Sequence, residues 1–541
     1  MADTTADGGN SRGSSGGTSI GKVLATTDAR GGGGGGVGGG GGVGVQIERA
    51  RGGGYGAYDA MEEKPSRVEV WGWHLYGFCT YFVETALIPI VFPLIISQVV
   101  GAPPEPSQGW TKSHKGLACR EKEMKLFVGL THRSMNEANI SPLEWVAVCW
   151  FIGLVLAAPL LNFVSMRLDH GQYQQLIAGA ATVVGAIFCL PAGFFRTPWI
   201  FLPYIVVIVA ASLVASAAHT RNLGLMIRGF TGPVLKKTQF QARRSVSGWL
   251  SLYATAAGCF GAALISAFSY HMLDQKDRFI SLWVVSIFGG LFWLLGILYV
   301  IVAYRPGPDS PPPPFTYIIS IFSYPHAVGS LVGVFLSSFT TMCIFTGAVL
   351  FLVGELCLKP VFVLYFWLTY FLFPLVSLPL LHPLQNLIKA NAVKMQLLGF
   401  LLSMITCGVG FYYRSKTWSK GHVIFFATLQ STAAGILYAY GRVLVLDCAP
   451  SGKEGAFSVW YSWVKVLGTC AGFGIASVVP RSVSTSFGIA FVCAILGAVM
   501  FVFGNVSDLG GALAAGNVRE DDEKGSPRRG MMKNPLHLEA P

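Results

Sequence analysis

From Trp71 to Gly504 the chain is a succession of apolar runs broken by short polar segments. A helix rising about 1.5 Å per residue needs about 20 such residues to cross a hydrocarbon layer about 30 Å thick. Counting the runs predicts an all-α membrane protein of twelve transmembrane helices. Six lie at about 71–100, 143–165, 175–195, 198–218, 247–271 and 279–303, and six more at about 324–352, 360–381, 395–413, 422–441, 456–479 and 485–504. Only 12% of the residues are charged, half the roughly 25% of ordinary soluble domains, so a water-soluble fold is excluded.

The remaining composition removes other classes. The formal charge of +12 is spread over tails and short loops and forms no stripe, so nucleic acid is not an expected partner. No Walker sequence is present to support ATP-driven work. Eight of the eleven cysteines (Cys79, Cys149, Cys189, Cys259, Cys343, Cys407, Cys470 and Cys493) fall inside apolar runs, and none has metal-ligand spacing. The cysteines read as small packing residues, and neither a metal, a cofactor nor enzymatic chemistry is expected.

Residues 1–66 are rich in glycine and cannot bury enough apolar surface to offset chain entropy, so they read as a disordered cytosolic tail. The first six-helix half covers 67–303 and includes a long outer loop at 101–142. A proline-rich cytosolic linker (304–323) precedes the second half (324–504), and 505–541 read as a second disordered cytosolic tail. With the amino terminus inside, the inner short loops hold twelve Lys and Arg, among them Arg221, Arg228, Arg243, Arg244 and Arg442, against eight in the outer short loops. Six further basic residues in the 101–142 loop run against this bias, although long loops obey it less strictly. Ser141, Pro142 and Glu144 make a capping box at the start of the second helix.

A constant shift of 211 lays residues 247–266 over 458–477 with six identities, including Trp249 on Trp460 and Gly261 on Gly472. This pattern favours two halves related by a parallel repeat, with a solute path between them near the bilayer midplane. Gly261 and Gly472 are then equivalent positions of close helix packing.

Glu84 sits near the centre of the first apolar run, where an ionised carboxylate is costly unless paired, hydrated or protonated. It is the leading candidate for a proton or cation site, the alternative being a neutral structural glutamate. Lys465 lies about three turns into the eleventh helix and corresponds to Ala254 in the repeat, so only one half carries the charge. It can bind an anionic group, pair with an acid or snorkel to the inner surface. Trp73, His74, Tyr76, Tyr81, Trp460 and Trp463 either line the path or form an aromatic belt at the membrane surfaces. Asp169, between the second and third helices, can latch one conformational state or stand as a solvated turn residue.

Three islands resemble the autophagy-related vacuole effluxer family of the major facilitator superfamily. The first is WGWHLYGFCTYF continuing to FPLIIS, with Trp73, Leu75, Tyr76, Phe78, Pro93 and Leu94 in the matching places. The turn Asp169, His170, Gly171 is the second, and APSGKEGAFSVWYSWVK, entering the eleventh helix, is the third. Two departures accompany them: Gly77 stands where the family has a first-helix aspartate, and Asp169 lacks the usual basic cluster after it. The resemblance implies a major-facilitator-like 6+6 arrangement, alternating access, and amino-acid export across a vacuolar membrane. The partners expected are a small solute, protons and the lipid bilayer. The plasma membrane is the alternative location. A non-transporting receptor or scaffold, and a carrier of a sugar, organic acid or specialised metabolite, are the alternative functions.

Twelve crossings return the chain to the face on which it starts, so both termini are expected in the cytosol. Tags at the two ends should be equally protected from protease in sealed vesicles of native orientation; opposite accessibility would require an odd number of crossings.

Overall fold

The first membrane helix is built in three pieces because Pro89 has no N–H to donate and its ring crowds the preceding turn. Regular helix over Arg67–Thr80 gives way to a π-helical stretch at Val83–Val91 and returns to α at Phe92–Val100. Glu84 lies in the wide π turn, the kind of helix defect that gathers at functional sites. The computed structural model describes residues 63–519 except 114–115, 134–138, 195–196, 276–281, 304, 306, 308–314 and 414–417. Nearly all of the amino-terminal tail, the Pro311–Pro314 run and the tail beyond Arg519 therefore lie outside the described residues.

This first span is α1 (Arg67–Val100), and a short amphipathic helix α2 (Glu121–Thr131) follows in the long loop. The rest of the first half is α3 (Pro142–Asp169), α4 (Gln174–Ala192), α5 (Pro198–Thr231), α6 (Phe240–Gln275) and α7 (Trp283–Val302). The second half is α8 (Pro325–Glu355), α9 (Val361–Leu387), α10 (Ala392–Tyr412), α11 (Lys420–Asp447), α12 (Glu454–Val478) and α13 (Val483–Phe503). Among the described residues, eleven of these helices are long and apolar enough to cross a membrane. The twelfth, α12, is 25 residues long but dilutes its apolar content with Glu454, Lys465 and several hydroxyl and aromatic residues. The bilayer-facing surface is recognisable by what it exposes. On α13 only 33% of the most apolar window is buried, and Val492, Leu496, Val499 and Phe503 point outward. An apolar stripe of that kind is stable against lipid and would be a liability in water.

Local signals explain several boundaries. Ser141 Oγ accepts the Glu144 N–H at 3.2 Å while Glu144 accepts the Ser141 N–H at 2.8 Å, the capping box expected at the start of α3. Helices α5 and α6 run further into the inner face than their apolar runs suggest. Arg221, Arg228 and Arg243 are therefore buried helical residues and not loop charges, as is Arg442 inside α11. Two segments expected to be irregular are ordered in part. Phe315–Ser323 of the linker is a 3-10 helix, and beyond α13 a short helix α14 (Asp508–Ala514) leads to a parallel bridge between Leu235–Lys236 and Val518–Arg519.

The repeat has a packing counterpart. A β-carbon on Gly261 of α6 would collide with the Phe78 carbonyl of α1, and one on Gly472 of α12 with the Phe339 carbonyl of α8. Each half thus presses its fifth membrane helix on its first through a glycine, where close approach replaces the hydrophobic drive that lipid cannot supply.

One covalent link joins the halves. Cys119, ahead of α2, is disulfide-bonded to Cys357 after α8, which corrects the reading of all cysteines as packing residues. The pair was detectable in principle, since both cysteines lie outside the apolar runs and on the same expected face. If a protease site is placed at Pro311–Pro314 and cut, the halves should migrate together on a denaturing gel until a reductant is added. Cys119→Ser should separate them without it.

Candidate functional site

Where α1, α5, α11 and α12 converge, Glu84 and Lys465 form a buried ion pair at 2.5 Å between the halves. Ser212 of α5 donates its hydroxyl to the other Glu84 oxygen at 3.0 Å, and Lys465 reaches Ser216 Oγ at 3.4 Å. Lys465 therefore does not snorkel: its ammonium lies 5.2 Å from the ring centre of Tyr438 and is only 5% exposed. Removing one partner of such a pair costs about 3–5 kcal/mol, because the other charge is left buried and uncompensated.

A second cation completes the centre. Arg442 donates to the Ser251 hydroxyl at 2.8 Å and to the Ser251 carbonyl at 3.1 Å, with its guanidinium over Trp73 and Tyr438 at 5.3 and 5.4 Å. Among the described residues it makes no ion pair. Glu84, Lys465 and Arg442 together leave one positive charge in excess. His219 stacks on Trp73 at 4.5 Å and donates from Nε2 to the Trp73 carbonyl at 3.0 Å. The space between these groups is small. A cavity of about 30 Å³ lined by Gly77, Tyr81, Glu84, His219, Arg442 and Lys465 adjoins another of about 70 Å³ beside Tyr461 and Thr469. Ligand pockets occupy about 300–1,000 Å³, so this centre admits water but is closed around itself.

The other sequence candidates divide. Tyr81 lines the cavity, and Trp73 supports it through His219 and Arg442. Tyr76 instead bonds Thr182 at 3.0 Å within the first half, and His74 packs against Trp71 and Trp73. Trp460 donates to the Ile318 carbonyl at 2.8 Å and anchors the linker helix; Trp463 donates to the Leu154 carbonyl at 3.2 Å. Gly77 shares the cavity with Glu84, as expected for residues seven apart on one helix face. Among the described residues no group of His, Cys, Asp or Glu is arranged to hold a metal ion.

Asp169, at the end of α3, is only 2% exposed and is not a solvated turn residue. It accepts the N–H groups of Gly455 and Ala456 at 2.6 and 3.0 Å and the Tyr317 hydroxyl at 3.0 Å, with Arg221 Nε at 3.8 Å. A carboxylate on the first turn of α12 satisfies otherwise orphaned N–H groups and faces the positive end of the helix dipole. Three further pairs cross between the halves at this level: Arg228 with Glu454, Arg243 with Asp447 at 2.9 Å, and Arg244 with Asp508 at 2.7 Å. Outside the membrane spans, burial pulls Lys453 below the ordinary lysine range, against the attraction of Asp169. The arginines escaped the sequence reading because they were counted as loop charges. Arg221 and Arg228, seven apart at the end of an apolar run, lie on one helical face, which was the available signal.

No family model matches the chain, and no curated protein matches it. Its structure is similar to a crystal structure of the major facilitator superfamily transporter FucP in the outward conformation, with a TM-score of 0.51 and 13% identity. The likeness covers 81% of this chain and 99% of that one. The chain has the major facilitator fold.

The contacts of Asp169, Arg228, Arg243 and Arg244, together called the latch, join the two halves at this end of the bundle. Asp169→Ala would strip Gly455, Ala456 and Tyr317 of their acceptor, and the population should shift toward a state open at that end. Spin labels at His170 and Ser451 should then report longer distances than in the unsubstituted protein.

Proposed function

We propose that this protein is a secondary transporter that moves a small solute bearing an anionic group by alternating access, coupled to protons through Glu84. The observation that carries this reading is the Glu84–Lys465 pair, which spans the two halves at the centre of the bundle beside the additional cation Arg442. While Glu84 is ionised it occupies Lys465 and holds the halves together. Protonating Glu84 removes the negative partner and leaves Lys465 and Arg442 facing the cavity, where a carboxylate of the solute restores the balance. Loss of the proton re-forms the pair and expels the solute.

Solute binding requires the halves to separate, because the present cavity is too small for a metabolite. The latch around Asp169 and Glu454 is what must open for exchange with the inner face. An amino acid is the solute that the effluxer resemblance implies, and the vacuolar membrane its location. Gly77 in place of the family aspartate and Glu84 two turns further on suit an acid moved along the same face of α1. The Cys119–Cys357 bond supports an oxidising compartment on its side and, with twelve crossings, supports both termini in the cytosol.

Purified protein in liposomes, offered a panel of amino and organic acids with and without a pH gradient, tests the proposal. Uptake should be saturable and driven by the gradient. Glu84→Gln retains shape but cannot ionise; it should reach the membrane, lose accumulation against a gradient, and keep exchange that moves no net proton. Unchanged proton-driven uptake in that variant would overturn the assignment.

A further inference from the structure

At the end of the bundle opposite the latch, the two halves enclose a cavity of about 550 Å³, far larger than the space around Glu84. Its walls come from the last turns of α1, the ends of α6 and α8 and the start of α9, and its roof is α2. The roof is firmly seated. Met124 and Phe127 are buried beneath it, Phe127 fills the space that a side chain on Gly354 would need, and the Cys119–Cys357 bond ties its base to the second half.

The walls are apolar, with Leu94, Phe345, Leu350 and Trp367 prominent, yet four lining residues carry buried polar atoms that, among the described residues, have no partner. These are Gln98 Oε1, Glu123 Oε1, Thr346 Oγ1 and Trp367 Nε1. Glu123, Thr346 and Trp367 are 4, 7 and 4% exposed. A buried polar atom without a partner is costly, so four around one cavity mark a place where a bound molecule supplies the missing bonds. Three of the four are acceptors, and one belongs to a carboxyl group. The second Glu123 oxygen is held by the Arg120 N–H at 3.4 Å, while Arg120 and Lys359 supply the nearby positive charge. Burial pushes this carboxyl above its ordinary range, as expected of an acid short of partners.

We infer that the cavity under α2 is a second ligand site, specific for an amphipathic amine that also carries an oxygen acceptor. The amine bonds Glu123, with Gln98 and Thr346 as further acceptors, the oxygen accepts the Trp367 N–H, and the apolar body lies against Leu94, Phe345 and Leu350. Its cluster of acceptors distinguishes it from the cation-rich centre, although Lys122 and Lys125 also line it, Lys125 paired with Glu121 at 2.6 Å. The occupant is therefore not the transported anion but a molecule that plugs the outer path, and its binding is measurable without transport.

Propranolol, an aryl ether with a hydroxyl group and an amine, is a suitable probe, and naphthol is its amine-free counterpart. With detergent-purified full-length protein, propranolol should raise the thermal unfolding temperature saturably and change tryptophan fluorescence. Naphthol should bind at least about tenfold more weakly, as expected when a charge-assisted bond is lost. Glu123→Gln should weaken propranolol by a similar factor while leaving the ligand-free unfolding temperature and the disulfide unchanged. Leu94→Trp, which fills the cavity from α1, should abolish binding even if Glu123→Gln proves unstable. Equal affinity for both probes, or binding indifferent to both substitutions, would overturn the site and indicate partition into apolar surface. Glu84→Gln should bind propranolol normally, so failure of the transport reading and failure of this one give different results.

Discussion

The Glu84–Lys465 pair is the interaction around which the rest of the structure is arranged. Neither charge is tolerable alone in the middle of a bilayer, so each half of the molecule is completed only by the other. The neighbouring architecture serves that requirement. The π turn of α1 places Glu84 where Ser212 and Lys465 both reach it. Gly468 and Gly472 bring α12 close against the α8 carbonyls of Phe335 and Phe339, which carries the lysine into the seam. Ser212 and Ser216 of α5 then supply hydroxyls to the pair in place of water.

The links between the halves change character along the membrane normal. At the latch they are several charged contacts, the Asp169 carboxylate on the first turn of α12 and arginines of α5 and α6 on Glu454, Asp447 and Asp508. At the centre there is one buried pair, Glu84 with Lys465. At the far end the link is covalent, but it acts through α2, which hangs from a loop rather than from a membrane helix. Such a tether limits how far its face can open while leaving the latch free to break. In the proposed cycle the larger change falls at the latch and the roofed face moves less.

What the sequence revealed depended on whether a residue's role was local. Glu84 was legible because a carboxylate in an apolar run violates the solvent preference of its own surroundings. The capping box at Ser141 and Glu144 and the glycines at 261 and 472 were legible because spacing alone defines them. Arg221, Arg228, Arg243 and Arg442 were not, since partners such as Glu454 for Arg228 and Asp447 for Arg243 lie in the other half of the chain, and a count of loop charges cannot distinguish a buried arginine from a solvated one. Asp508 was assigned to a disordered tail for the same reason: only Arg244, on the other half, gives it a fixed place. Cys119 and Cys357 form their bond only because the fold brings loops 238 residues apart together.

The repeat explains why the charge at the centre is uneven. Two halves descended from one pattern would present like residues to the seam, and two lysines or two glutamates facing each other would repel. Divergence at one position resolves this: Ala254 in α6 leaves room and neutrality where Lys465 in α12 supplies charge, and the acid is carried by α1 alone. The shared features, a fifth helix pressed by a glycine onto the first, keep the halves geometrically alike. The unshared ones give the pair a sign. A pair built in this way draws its acid from α1 and its base from α12, while the glycine-pressed scaffold on either side stays alike.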